Sequence, residues 1–131
     1  MNAPQTSDAG VAHQIGRYAD AIRVPAGYDQ TVVSGTPGLD ENGNIPADFA
    51  DEARQAWRNV ATILEKAGAS IRDIVSIRQY LTREEDIETY FAVQREMITH
   101  ETAGMFLVPT AMVWPEIHVE VEAVALVPSP R

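Results

Sequence analysis

The spacing of apolar residues along the chain predicts two helices. In the first, residues 48–67, apolar side chains recur every three or four positions and would share one helix face. These positions are Ala53, Ala56, Trp57, Val60, Leu64 and Ala67. Asp48 is typical of a helix N-cap, and Gly68 is typical of the residue just beyond a helix end. The second helix is predicted at residues 84–100, where an acidic first turn suits the positive end of the helix dipole.

Segments rich in apolar and β-branched residues, separated by Gly and Pro, predict five strands. They are residues 17–24, 29–36, 73–82, 104–115 and 118–128. The order strand-strand-helix-strand-helix-strand-strand predicts an α+β fold in which two helices cover one face of a mixed sheet. We expect a single domain over residues 1–131, with a flexible lead-in at residues 1–14. The strands are too apolar to face water on both sides, so self-association is the economical cover for the second sheet face.

Composition and charge exclude several classes of function. The formal net charge is −9 and the basic residues are scattered, so binding of nucleic acid is disfavoured and we expect no nucleic-acid partner. The absence of cysteine excludes disulfides, thiolate zinc sites and cysteine nucleophiles, and it fits a cytoplasmic location. We expect neither a signal peptide nor a membrane-spanning segment.

The common catalytic motifs are absent from the sequence. No phosphate-binding loop, dinucleotide-binding glycine pattern or nucleophile elbow is present. His13, His100 and His118 are far apart along the chain and show no metal-ligand spacing, so each is interpreted as a surface or capping residue. His118 is the least ordinary of the three because it borders the last strand. We therefore expect neither a metal ion nor a cofactor.

Two carboxylates interrupt the most apolar strand. Glu120 and Glu122 lie two positions apart in IHVEVEAVALV, residues 117–127, so in an extended chain they share one face. Either that face contacts water, or one of the two acids has a chemical function.

Five phrases along the chain carry a resemblance to a known family. They are RYADAI (17–22), VVSGTPGLDENG (32–43), AWRNVATILEKAGAS (56–70), DIVSIRQYLT (73–82) and VEVEAVA (119–125). In this order and spacing they resemble the Rid family, also called YjgF/YER057c/UK114. The resemblance covers about residues 17 to 128.

The resemblance implies a chorismate-mutase-like (YjgF) α+β fold and a homotrimer. In the family, the sheets of three subunits close a central β-barrel, and ligands bind in the clefts between subunits. The best-studied branch hydrolyses reactive enamines and imines, such as 2-aminoacrylate, to a keto acid and ammonia.

Four residues match the family's site. Tyr18 matches a pocket tyrosine, and Ser34 and Gly35 match a pair whose backbone faces the ligand. Glu120 matches the carboxylate that positions water or the ligand amine. This role suits a carboxylate because an imine is already electrophilic and mainly requires an oriented water and a proton acceptor. Glu122 is interpreted as a structural or interface carboxylate.

The sequence departs from the family where the deaminase branch has an arginine that binds the substrate carboxylate. Residues 104–115 contain no basic residue, and the arginine position falls near Met105, Phe106 or Leu107. Phe91 stands about where the family has an asparagine. Phe91 and Phe106 are therefore candidate lining residues of a more apolar pocket. Four arginines are possible replacements, and the sequence does not choose among them: Arg17, Arg23, Arg78 and Arg95.

The leading hypothesis is an enamine or imine deaminase, with Glu120 as the catalytic residue and a substrate other than a small 2-imino acid. The alternative is a trimer of the same family that binds a small metabolite without turnover. Ribonuclease activity, sometimes attributed to the family, is disfavoured by the charge of −9 and the missing arginine.

Overall fold

The computed structural model describes residues 3–130, which form six strands and two α-helices. The strands are β1 (Gln5–Ser7), β2 (Ala21–Arg23), β3 (Tyr28–Pro37), β4 (Ile74–Leu81), β5 (Ala103–Leu107) and β6 (Val119–Pro128). The helices are α1 (Phe49–Lys66) and α2 (Ile87–Met97). Short 3₁₀ turns lie at Ala12–Gln14, Ile71–Asp73 and Glu84–Asp86.

Four of the strands form one mixed sheet in the order β3-β6-β4-β5. The β4–β5 pair is parallel and the other two pairs are antiparallel. Helix α1 packs against β3, β6 and α2, and both helices contribute to a single buried core. The predicted α+β class, with two helices and a mixed sheet, is confirmed.

Strand β6 shows how the sheet divides its two faces. Val119, Val121 and Ala123 are buried in the core, whereas Glu120 and Glu122 alternate with them and are partly exposed. The two acids therefore lie on the face away from the core, called here the outer face. On that face Glu120 pairs with Tyr80 of β4 and with Pro37 of β3.

The structure supports the predicted ends of helix α1. The Asp48 carboxylate accepts a hydrogen bond of 3.2 Å from the backbone N–H of Asp51. Gly68 has φ of +83°, the left-handed conformation that glycine adopts without strain. Helix α2 is shorter than predicted, because Glu84–Asp86 forms a 3₁₀ turn before Ile87.

Two strand predictions are wrong in extent. The predicted strand at 104–115 is only Ala103–Leu107, and residues 108–118 form turns and irregular backbone. Pro109 and Pro115 in this segment lack the N–H that strand pairing needs, so its apolar composition alone was misleading. The predicted strand at 17–24 is reduced to Ala21–Arg23, which pairs with β1 outside the four-stranded sheet.

Candidate functional site

A β-bulge lies where the Ser34–Gly35 pair meets β6. Val33 pairs with Ala123 and Thr36 pairs with Val121, so β3 advances three residues while β6 advances two. The extra residue leaves Ser34 and Gly35 together opposite one partner and bends the edge of the sheet locally. The hydroxyl of Thr36 donates a 2.8 Å hydrogen bond to the carbonyl of Ser34 and holds this bend.

The bulge places the Glu120 carboxylate against the backbone of Gly35. A methyl group at residue 35 would lie 2.7 Å from Oε1 of Glu120, closer than real Cβ contacts allow. Glycine is therefore required for the carboxylate to keep this position. The structure thus brings three of the sequence-predicted site residues together on the outer face: Ser34, Gly35 and Glu120.

The two carboxylates of β6 differ in their surroundings. Burial, and then the negative charge of Glu122, raise the pKa of Glu120. Glu122 instead accepts a hydrogen bond from the hydroxyl of Tyr80, and this bond is the main reason that the pKa of the Tyr80 phenol is raised. Glu122 is thereby tied to β4. The Glu120 carboxylate accepts no hydrogen bond from the described residues, so of the two acids it is the candidate for chemistry.

Tyr18 lies on the other side of the sheet, within a buried polar network. Its hydroxyl accepts hydrogen bonds from Nε2 of Gln79 at 2.9 Å and from Nε2 of Gln94 at 3.1 Å. The hydroxyl of Tyr90 donates to Oε1 of Gln79 at 2.5 Å, and Gln94 also donates to that oxygen. Sequence reasoning missed both glutamines. The available signal was the position of Gln79 on the core face, between Ile77 and Leu81.

Phe91 and Phe106 contact each other directly. Their rings are stacked, with centroids 5.0 Å apart and planes at 22°. Tyr90 meets both rings edge-on. Tyr18 is joined to this group through Gln79, whose side chain hydrogen-bonds to the hydroxyls of both Tyr18 and Tyr90. Two positions at which the sequence departs from the family pattern thus form one aromatic surface.

The site residues therefore fall into two groups, one on each side of the sheet of a single chain. The outer-face group is Ser34, Gly35 and Glu120, and the core-side group is Tyr18, Phe91 and Phe106.

A buried carboxylate beside the start of β6 was also missed from the sequence. Glu52 of α1 is 1% exposed and accepts two hydrogen bonds from His118, from its backbone N–H at 2.8 Å and from Nδ1 at 3.0 Å. A methyl group at Gly38 would lie 2.3 Å from the carbonyl oxygen of Glu52. Glu52 therefore fixes the chain just before β6 and packs tightly against the loop after β3. His118 is a structural partner of this carboxylate.

One cluster of described residues has the spacing of a metal site. Asp8, His13 and Glu101 each offer one ligand atom, and these atoms lie within 4.8 Å of one another. Nε2 of His13 is 3.3 Å from Glu101 and 3.5 Å from Asp8. All three side chains are at least partly exposed, and the ion pairs of a protonated His13 account for their arrangement. The hydrogen bond to Glu101, and then the charge of Asp8, raise the pKa of His13.

This contact predicts a measurable titration. The pKa of His13 should lie above 6.5, and Glu101→Gln should move it back toward that value, because the hydrogen bond to Glu101 is the largest cause of the shift. Because the pKa of His13 is higher in the folded chain than in the unfolded chain, the contact stabilises the fold fully at a pH below the unfolded pKa. This stabilisation is lost as the pH rises through the folded pKa. NMR titration of the His13 ring protons measures both values. Asp51→Asn, which removes an exposed carboxylate elsewhere, is the control and should leave the pKa of His13 unchanged. If Glu101→Gln also leaves it unchanged, the hydrogen bond to Glu101 is not the cause of the shift.

Comparison with known proteins identifies the family of the chain. The sequence model of the family described as Endoribonuclease L-PSP matches residues 10–127. The chain is 32% identical over 89 residues to the 2-iminobutanoate/2-iminopropanoate deaminase of Escherichia coli K12, covering 66% of this chain and 70% of that enzyme.

Two solved structures share the fold. The conserved Rid family protein YyfB of Yersinia pestis superposes with a TM-score of 0.81 at 20% identity, over 95% of this chain and 98% of that chain. The YjgF gene product of E. coli superposes with a TM-score of 0.71 at 28% identity, over 86% of this chain and 89% of that chain. The predicted YjgF fold is thus confirmed, and the chain belongs to the Rid (YjgF/YER057c/UK114) family, which the Endoribonuclease L-PSP model describes.

Proposed function

We propose that this protein hydrolyses a reactive enamine or imine, releasing ammonia and a carbonyl product. The observation that carries the proposal is the position of Glu120, a partly buried carboxylate with a raised pKa, held against the backbone of Gly35. The relative at 32% identity, a 2-iminobutanoate/2-iminopropanoate deaminase, supports the same reaction class.

The reaction needs only a water molecule and a proton acceptor. Water adds to the imine carbon while the Glu120 carboxylate accepts one of its protons. That proton passes to the nitrogen and gives a carbinolamine. Glu120 then transfers the remaining hydroxyl proton to the nitrogen, so the C–N bond breaks and ammonia leaves as the C=O bond forms. A raised pKa suits this exchange, because a more basic carboxylate accepts the proton of the attacking water more readily. The proposed reaction requires no metal ion or cofactor.

The proposed assembly is a homotrimer with sites in the clefts between subunits. Val32, Met105 and Leu107 are 70%, 53% and 41% exposed, and their strand pairings place them on the outer face. An apolar sheet face of this kind favours burial against other copies. A cleft between copies would also bring a Glu120 group next to a Tyr18 group. Sedimentation equilibrium should give about three times the chain mass of 14.4 kDa, and a stable monomer would contradict the assembly.

We propose a cytoplasmic location and no nucleic-acid or membrane partner. The net charge of −9 supports the absence of nucleic-acid binding. Across residues 3–130, none of the helices combines the length and the apolar character that crossing a bilayer demands.

A second candidate is a trimer that binds a small metabolite without turnover. The stacked Phe91 and Phe106 favour it, because they fill positions where the deaminase branch is expected to have polar groups that handle substrate. The same stack should make a small 2-imino acid a poor ligand for either candidate.

An assay of keto-acid release distinguishes the two candidates. Imines of increasing side-chain size, from 2-aminoacrylate and 2-iminobutanoate to the imine of phenylalanine, are generated in situ by enzymes that act on the parent amino acids. The deaminase proposal expects accelerated release of the keto acid, with the greatest acceleration for the larger substrates. If the protein accelerates none of these hydrolyses, the binding function is supported instead.

A further inference from the structure

A cavity of about 460 Å³ lies beside helix α2 and the turn that precedes Tyr18. Its lining includes Arg17, Glu88, Phe91, Gln94 and Arg95. Two arginines and one glutamate give the lining a net positive charge. An aromatic wall next to guanidinium groups is a composition that suits an organic anion.

Both arginines are available to a ligand. Among residues 3–130, neither takes part in a salt bridge. Nη1 of Arg17 makes only a long contact of 3.4 Å, to the carbonyl oxygen of Ile98. A guanidinium presents several N–H groups in a planar fork that matches the two oxygens of a carboxylate.

The aromatic wall of this cavity is held in place from behind. Phe91 stacks on Phe106 and meets the edge of Tyr90, so its ring is positioned by the core side of the sheet. Gln94 is fixed by its hydrogen bonds to Tyr18 and Gln79. The cavity therefore joins a preformed apolar surface to two cationic side chains.

The structure also separates the four arginines that the sequence left as alternatives. Arg23 lies on β2 in the small two-stranded sheet, where it pairs with Gln5. Arg78 is on the outer face, opposite Glu122. Arg17 and Arg95 line the same cavity as Phe91.

We propose that Arg17 and Arg95 together bind the carboxylate of a ligand whose apolar or aromatic body lies on Phe91. The inference rests on the proposed deaminase function for its substrate class, which is 2-imino acids with a large apolar or aromatic side chain. In this chain, Arg95 of α2 and Arg17 in the turn before Tyr18 take the anion-binding role that the family resemblance assigns to an arginine of β5. Phe91, stacked on Phe106, provides an apolar surface for the larger side chain.

The test is a titration of the intact protein with phenylpyruvate, an aromatic 2-keto acid. Isothermal titration calorimetry measures the binding. Arg17→Ala and Arg95→Ala should each weaken binding roughly tenfold, because each removes hydrogen bonds to a charged group. Arg23→Ala and Arg58→Ala are matched controls that remove a surface arginine elsewhere and should leave binding unchanged. Phenylacetone, which has the same ring and ketone without the carboxylate, should bind weakly and equally to all variants.

The outcomes separate this inference from the proposed function. Arginine-dependent binding of phenylpyruvate without hydrolysis of any imine would support the inference and contradict the deaminase. Imine hydrolysis with the same KM in the Arg17 and Arg95 variants as in the controls would overturn the inference and leave the deaminase intact. Absence of phenylpyruvate binding by the native protein would also overturn the inference.

Discussion

Glu120→Gln is expected to lower kcat for imine hydrolysis by about 10²- to 10⁴-fold, the usual contribution of a positioned general base. Glutamine keeps the size and polarity of the side chain but cannot accept the proton of the attacking water. The chain should still fold, since Glu120 is partly exposed and has no hydrogen-bond partner among the described side chains. Steady-state rates of keto-acid release measure the effect. Glu116→Gln, an exposed carboxamide substitution just before β6, is the matched control.

The same substitution should stabilise the fold at neutral pH. Because the pKa of Glu120 is raised in the folded state, the unfolded chain loses this proton first as the pH rises. Ionisation of Glu120 therefore destabilises the fold. This destabilisation is absent at a pH below the pKa of Glu120 in the unfolded chain, and it grows until the pH exceeds the pKa in the folded chain. The stability difference between Glu120→Gln and the native protein should increase from pH 4 to pH 7 in urea denaturation. A stabilised but inactive variant separates chemistry from folding, whereas a variant of native activity would contradict the role of Glu120.

Gly35→Ala tests the same site without changing a charge. The added methyl group would lie 2.7 Å from Oε1 of Glu120, and the flexible carboxylate can move away at little cost in stability. A displaced carboxylate would no longer hold water in the same position. We therefore expect reduced kcat with nearly unchanged unfolding, and native kcat would argue that the contact with Gly35 is not required.

The sequence predicts well the elements whose cause is local. Helix α1 follows from the spacing of its apolar residues and from Asp48 and Gly68, and β6 follows from its alternation of valine and glutamate. Strand β5 is predicted poorly because a continuous apolar run has no period that distinguishes strand from loop. Its true length depends on pairing with β4, which is set by the rest of the sheet.

The candidate site is predictable only where the family resemblance supplies it. Ser34, Gly35 and Glu120 are matched by their phrases, and the bulge explains why glycine is needed there. The bond between Glu52 and His118 joins residues 66 positions apart, and nothing in either local pattern indicates the partner. The choice of Arg17 and Arg95 among the four arginines likewise requires the cavity that forms only in the folded chain.

Gln79→Leu is expected to destabilise the fold by roughly 3–5 kcal/mol. Gln79 is fully buried and links three side chains: Tyr18, Tyr90 and Gln94. Leucine has a similar volume, so the core stays filled, but its buried partners lose their hydrogen bonds to residue 79. Removing one member of a buried network costs more than the network contributes, because the remaining polar groups keep their desolvation penalty. Urea denaturation measures the loss, with Gln30→Leu on the exposed side of β3 as the matched control.

The effect of Tyr90→Phe should reverse sign with the residue at position 79. Burial raises the pKa of Tyr90 well above its usual range, so its hydroxyl keeps its proton and donates to Gln79. In the native protein, Tyr90→Phe removes this donor and should destabilise by about 1 kcal/mol. In the Gln79→Leu protein, it removes a hydroxyl that has lost its acceptor and should recover part of the lost stability. If the free energies of unfolding lost in the two single variants simply add in the double variant, the hydrogen bond between Tyr90 and Gln79 does not stabilise the fold. Gln79 would then contribute by packing alone.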